Sequence, residues 1–365
     1  MTVRNAIPGS VLTMHGLLTR PATVDRPVRV PFGATREFRF GAGAPGTYLY
    51  WGSTTAKPLR KRFGADSQLN GALVVDPPAP RPAAHDRVFV ITTWVNVTTK
   101  RGRPNNDYEL DAINGRAWPH TERLSYAKGE TVRWRVLNAS DGAHPLHLHG
   151  FYFDVTSRGN GVADIAYAHG DRDRVVTEAI KSGSTFTMAW HADRVGNWLF
   201  HCHLPYHTVG HLPIAQMLDR TPITDEGFEN DFVRHAGMGG LILGVTVRGR
   251  PPQAATHAAV GRRIALRVEA ARDDAPNAPS YRYIVGSGAA PGDAAIGPPI
   301  VLTRGVPVAI DVTNRLSEPT AVHWHGIEVG DSYFDGVAEW SGYADRLAPM
   351  IMPGETFVAR FTPPR

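Results

Sequence analysis

A chain of 365 residues with 42% apolar, 20% charged and 9% aromatic residues falls among globular proteins, outside the disordered and collagen-like classes, and its length allows two or three domains. The net charge of +5 rests on 39 Lys and Arg residues spread along the chain, with no clustered basic stripe of the kind a nucleic-acid partner needs. The longest apolar run, Gly239 to Val247, is far short of the roughly 18 residues of a membrane span, and the single cysteine, Cys202, excludes an intrachain disulfide.

In chain order, period-two alternation predicts strands at Arg87–Val95, Thr131–Val136, Gly150–Val155, Thr185–Trp190, Pro307–Val312 and Thr356–Phe361, each bounded by Gly, Pro, Asn or Asp. No stretch carries a helical period. The 37 Gly and 29 Pro suit many turns, so the predicted class is all-β, in Greek-key sandwich or barrel domains.

Internal repeats give the organisation. A strand ends in Val-x-Asn at Asn5, Asn138 and Asn314; an x-His-Gly follows at His15, His149 and His325; a Gly-x-Thr then opens a strand at Gly33, Gly183 and Gly354. Three homologous β-domains follow, near residues 1–80, 81–222 and 241–365, with 223–240 as linker. The first lacks its opening strands and the third its closing ones, so the sequence reads as a piece cut at both ends from a longer polypeptide. Such incomplete domains expose strand edges and invite association into a homo-oligomer.

Eight of the sixteen histidines fall in three motifs: His144, His147 and His149; His201, His203 and His207, with Cys202 between the first two; and His323 with His325. In a strand, residues i and i+2 share a face, so each His-x-His presents two imidazoles to neighbouring metals while Cys202 faces the other way. A thiolate with two imidazoles is the blue-copper donor set, and Cys202, His144 and His207 supply it. Five residues after His207 the axial candidate is Leu212, which cannot coordinate; Met217 is the alternative. Zinc is the chemical rival, but eight histidines and one Cys exceed its needs. A Cys202 nucleophile would leave six histidines unexplained. The remaining histidines, His15, His85, His120, His169, His191, His211, His235 and His257, read as ordinary surface or core residues.

The three motifs resemble three of the four copper motifs of the multicopper oxidases, the laccase-like enzymes of cupredoxin fold. The resemblance implies tandem cupredoxin-like domains, with a type 1 copper that takes electrons from a reductant and a trinuclear cluster that reduces dioxygen to water. By position, it implies His144, Cys202 and His207 as type 1 ligands, His147 and His323 as type 2 ligands, and His149, His201, His203 and His325 as type 3 ligands. His207 would be the electron entry point, and Asp335 resembles an acidic residue that assists proton delivery.

This sequence departs from the pattern in four ways. The fourth motif, a second His-x-His, is absent. The His323 motif follows the Cys-containing domain rather than preceding it, the first domain retains only His15, and Pro205 stands where many relatives carry an acid. The partners expected are dioxygen and a small reductant: a phenol, an aromatic amine or a reduced metal ion. Two rivals remain: a copper protein that only carries electrons or sequesters copper, and a nitrite-reductase-like enzyme. Copper chemistry of this kind implies a periplasmic or secreted location, although Met1 to Val11 carries no signal-peptide pattern.

Overall fold

The structure, a computed structural model, describes residues 1–22, 24–62, 64–78, 85–96, 99–100, 103–104, 108–208, 212–213, 239–250, 261–270, 281–286, 297–329, 334–343 and 346–363. Asn5, Asn138 and Asn314 are each at most 1% exposed, and each uses its side chain in the same way. The amide donates to two carbonyls: Ser10 and Val30 for Asn5, Gly142 and Ile180 for Asn138, Glu318 and Ile351 for Asn314. The Oδ1 accepts the N–H two residues on, at Ile7, Ser140 and Leu316, as an Asx turn. Each Asn carbonyl in turn accepts the N–H of Gly33, Gly183 or Gly354, whose φ angles are 76, 78 and 81°. That left-handed backbone is the reason for a glycine there. The sequence repeat is thus one device for closing a loop onto a strand end, used three times.

Nearly all regular structure among the described residues is β, joined by a few 3-10 turns. In the first unit the strands Val28–Pro31, Val11–His15, Gly46–Ser53 and Asn70–Val75 form one antiparallel sheet, and Thr2–Arg4 pairs with Thr35–Glu37. The middle unit is two sheets. One holds His85–Asn96 parallel to Thr131–Asn138, which runs antiparallel to Thr185–His191; the other holds Thr177–Ile180, His144–Leu148 and Gly196–Cys202. Between them lies the largest core, with Trp134, Trp190, Trp198, Phe186 and Phe200 at 1% exposure or less. The third unit repeats the pairing of the first sheet: Arg262–Ala270 parallel to Val308–Asn314, and that strand antiparallel to Thr356–Phe361.

One element departs from the expected boundaries. Ile242–Arg248, placed by the sequence at the start of the third domain, lies between Arg123–Ala127 and Gly196–Cys202 in the second sheet of the middle unit. Its burial explains this: Ile242 to Val245 are all buried, as in a strand covered on both faces. The short strand Gly342–Tyr343 also joins this sheet, through Asn197. Of the expected linker 223–240, residues 223–238 lie outside the described residues, as do His211 and Met217. No helix among the described residues is long and apolar enough to cross a membrane.

Candidate metal centre

Register creates the site. His144–Leu148 runs antiparallel to Gly196–Cys202 with Leu146 opposite Cys202 and His147 opposite His201. Directly opposed residues share a face and neighbours alternate. His144 and Cys202 therefore point to one side of the sheet, and His147, His149, His201 and His203 to the other. A one-residue slip would exchange the faces of every donor on the slipped strand.

On the first side, His207 arrives from a 3-10 turn, Pro205–His207, that follows the strand. Cys202 Sγ lies 3.7 Å from His144 Nδ1 and 3.3 Å from His207 Nδ1, and the two Nδ1 atoms are 3.0 Å apart. Hydrogen bonds at the far edges set the tautomers. The Asn138 amide donates elsewhere, so its Oδ1 accepts from Ser140 Oγ, and Ser140 Oγ, 2.7 Å from His144 Nε2, accepts the Nε2 proton. His207 Nε2 faces the buried Asp111 carboxylate at 3.5 Å. The two Nδ1 lone pairs are thereby turned on each other, with the Cys202 thiol as the one donor between them, an arrangement that a bound cation would satisfy more fully. A triangle with these sides has its centre about 2 Å from each corner, near the length of a metal–imidazole bond and a few tenths of an ångström short of a metal–thiolate bond.

Burial, helped by the neighbouring His207 ring, lowers the His144 pKa to about 3, and burial lowers that of His207 to about 4. Both rings are neutral at physiological pH, as ligands must be. Burial pushes the Cys202 thiol up to about 12, so metal binding there releases a proton.

On the second side six imidazoles meet. Ring centroids of His147 lie 4.7 Å from His149, 5.7 Å from His201, 5.5 Å from His203, 5.9 Å from His323 and 4.0 Å from His325. Four rings spend their Nδ1 protons on oxygen acceptors: His147 on Val176 O at 2.7 Å, His201 on Cys202 O at 2.7 Å, His323 on Asp335 O at 2.7 Å and His149 on Asp335 Oδ2 at 2.6 Å. Their Nε2 atoms consequently carry lone pairs. Those of His147 and His323 are buried without a hydrogen-bond partner, and those of His149 and His201 face one another at 2.8 Å. Buried acceptors aimed at each other are costly unless a cation joins them. Burial lowers the pKa of His147, His201, His323 and His325, with neighbouring imidazoles adding to the effect.

The third unit contributes His323, His325 and Asp335. Asp335 is 1% exposed, and its second oxygen accepts from Ser341 Oγ. Burial opposes its ionisation, but the His149 ring, with His323 and the Ser341 hydroxyl, outweighs this and holds the carboxyl down to about 2. His203 and His325 lie on the exposed side of the cluster, with Nε2 and Nδ1 at 3.2 Å.

All nine expected donors are thus brought into two groups, and Asp335 lies against the second. Leu212 sits on the strand Leu212–Pro213 beside Tyr108–Ile113. Ser140 and Asp111, the outer partners of His144 and His207, were not singled out in the sequence. Ser140 carries a signal, standing in the Asx turn of the repeat; Asp111 shares the strand Tyr108–Ile113 with a second acid, Glu109, and nothing in the sequence sets it apart. His15, read as an ordinary residue, bonds through Nδ1 to Asp25 at 2.6 Å and stacks on Trp51 at 3.7 Å.

Multicopper oxidase family models match residues 88–217 and 287–365, together more than half of the chain. The chain belongs to the multicopper oxidases, and its cofactor is copper, in keeping with the thiolate and imidazole donors. It is 29% identical over 160 residues to iron transport multicopper oxidase fio1 of Schizosaccharomyces pombe, a match covering 42% of this chain and 25% of that protein. It is 36% identical over 110 residues to putative laccase-16 of Oryza sativa subsp. japonica, covering 26% and 24%. The matches thus span about a quarter of the length of these relatives. Among solved structures, a blue copper oxidase from Nitrosomonas europaea aligns over 67% of this chain and 72% of its own at 20% identity, with a TM-score of 0.48.

Proposed function

We propose that the chain is the oxidase portion of a laccase-like enzyme. It couples one-electron oxidation of a reductant at a type 1 copper to the reduction of dioxygen to water at a trinuclear copper cluster. His144, Cys202 and His207 would hold the type 1 ion, His147 and His323 the type 2 ion, and His149, His201, His203 and His325 the type 3 pair. Bound copper would supply the one-electron redox chemistry. Phenols and reduced iron are the substrate classes in view, since relatives are named laccases and iron transport oxidases. Copper handling of this kind places the protein outside the cytoplasm.

The observation that carries the reading is the back-to-back arrangement of the two donor groups on one strand. Cys202 reaches one group while its neighbours His201 and His203 reach the other, and the Cys202 carbonyl also accepts the His201 Nδ1 proton. The link is therefore both covalent and hydrogen-bonded. Asp335 fixes the His149 ring and places a carboxylate beside the second group, where it can hold or release a proton. Ser140 and Asp111 hold the outer edges of His144 and His207, fixing ring orientation as outer partners of metal ligands do.

The test is reductant-dependent oxygen uptake by the copper-loaded chain, with peroxide measured in parallel. The reading predicts uptake without peroxide release, abolished by Cys202→Ser and by His147→Ala. A chain that accepts one electron per blue chromophore but consumes no oxygen is an electron carrier, and the oxidase reading then fails.

A further inference from the structure

Four of the six imidazoles on the second side are oriented by an oxygen that accepts the Nδ1 proton, from Val176, Cys202 or Asp335. His203 and His325 differ. Their rings meet each other at 3.2 Å, and among the described residues neither ring has an oxygen partner. His203 is held through its backbone, whose N–H donates to the Pro145 carbonyl at 2.7 Å within the middle unit. His325 comes from the third unit, so its ring keeps its place only if the backbone around it is fixed to the middle unit.

The residues that fix it stand at matching places in two copies of the repeat. His149-Gly150 corresponds to His325-Gly326, with a glycine φ of 73° in both, and the residue three beyond the histidine is Tyr152 in one copy and Glu328 in the other. These two meet across the junction. The Tyr152 N–H donates to Glu328 Oε1 at 3.2 Å, and the Tyr152 hydroxyl donates to the Gly326 carbonyl at 3.1 Å. Arg194, in the loop before Gly196–Cys202, closes the contact. Its Nη1 donates to the Gly150 carbonyl at 3.1 Å and to Glu328 Oε1 at 3.2 Å, and its Nη2 lies 3.1 Å from Glu328 Oε2. Trp198 Nε1 donates to the Arg194 carbonyl at 3.1 Å, which ties this loop to the strand carrying His201 and Cys202. The Arg194 and Glu328 side chains are only 21% and 17% exposed, and a guanidinium gripping both carboxylate oxygens fixes direction as well as distance. In the first unit Leu18 stands at the matching position, and its side chain can make none of these bonds.

We propose that Tyr152, Arg194 and Glu328 are positioning residues for His325: they clasp the third unit to the middle one and so set the His325 ring against His203. This rests on the assignment of His203 and His325 to the copper cluster above. A ligand displaced by more than about half an ångström no longer fits its site, so the clasp governs copper retention on this face alone.

The experiment uses the full chain, first without copper and then loaded. Without copper, hydrogen exchange followed by mass spectrometry reads residues 320–329 directly. Glu328→Ala should speed exchange there about tenfold, and Tyr152→Phe less, since it removes one bond of the set. In the loaded chain, a chelator titration reads the copper retained per chain beside the blue absorption. Glu328→Ala and Arg194→Met should surrender cluster copper at about tenfold lower chelator concentration, while the blue absorption keeps its intensity. Arg194→Lys should recover part of the retention, because an ammonium reaches one carboxylate oxygen but cannot also span to the Gly150 carbonyl. Asn314→Ala is the control, since it weakens the third unit without touching the clasp. Unchanged exchange in Glu328→Ala, or copper loss as large in Asn314→Ala as in Glu328→Ala, overturns the proposal. Faster exchange in Glu328→Ala, where the wild type retains no copper beyond the blue site, refutes the cluster assignment, and the positioning role falls with it; the copper-free readout keeps the two failures apart.

Discussion

Replacing Asp335 tests how the third unit holds the cluster. Its Oδ2 accepts from His149 Nδ1 at 2.6 Å, its Oδ1 accepts from Ser341 Oγ, and the carboxylate is 1% exposed. Asp335→Ala strands the His149 Nδ1–H and the Ser341 hydroxyl in a space that water barely reaches. Removing one member of a buried charged network costs about 3–5 kcal/mol, a large share of the roughly 5–15 kcal/mol that holds a protein folded. Asp335→Asn keeps an oxygen for His149 but exchanges a charge-assisted hydrogen bond for a neutral one, a loss of about 1–2 kcal/mol. Urea denaturation of the copper-free chain at neutral pH should rank the three proteins wild type, Asn, Ala. Copper titration should show the Ala variant binding copper about 10–100-fold more weakly at the cluster, while the blue chromophore, whose ligands Asp335 does not touch, keeps its intensity. An Ala variant with wild-type stability and wild-type copper retention would refute the idea that Asp335 positions His149.

Three further outcomes follow from the same reasoning. In the first unit, burial opposes ionisation of Asp66, but the hydroxyls of Thr54, Ser53 and Thr55 and the Thr54 N–H outweigh it and hold the carboxyl down to about 2, against an ordinary 3.8. Its contribution, about 2 kcal/mol, is complete above the ordinary value and is lost as pH falls through the folded one. The stability gap between wild type and Asp66→Asn in urea should therefore close between about pH 4 and 2. Gly240 has φ of 65°, and a Cβ there would lie 2.2 Å from the His207 carbonyl oxygen. Gly240→Val should displace the His207 turn and abolish the blue absorption, at a cost of about 1–3 kcal/mol by thermal denaturation. Asn314→Ala leaves the Glu318 and Ile351 carbonyls and the Leu316 N–H without their partner and should cost about 2 kcal/mol or more by chemical denaturation; Asn314→Asp should recover only the Leu316 bond.

Much of this architecture is legible in the residues because the repeat is written in groups with one physical use. A buried Asn that closes a loop, and a glycine that needs a left-handed backbone, cannot be replaced cheaply, so they stand out at constant spacing. The split of the donors between two faces also follows from alternation alone. Ile242–Arg248 resists such reading: a strand covered on both faces loses its alternation, and nothing in an apolar run says which sheet it enters. Its place beside Gly196–Cys202 is decided by packing against Trp198, Phe200 and Leu124 in the middle core. Asp111 is hidden for a related reason, since either acid of its strand, Glu109 or Asp111, carries no signal until the fold sets one of them against His207. The rings of His147 and His149 lie 4.7 Å apart; His149 stands in the turn just past the strand His144–Leu148, so strand spacing alone does not set that distance.

The central claim is that Cys202, with His144 and His207, holds a copper distinct from those on the opposite face of the same strand. Visible absorption and copper content of the copper-loaded chain, measured beside Cys202→Ser, test it most directly. The account predicts an intense blue absorption in the wild type, and in the variant its complete loss with copper retained by the histidines of the opposite face. A blue chromophore that survives Cys202→Ser, or a copper-replete wild type without one, would contradict it.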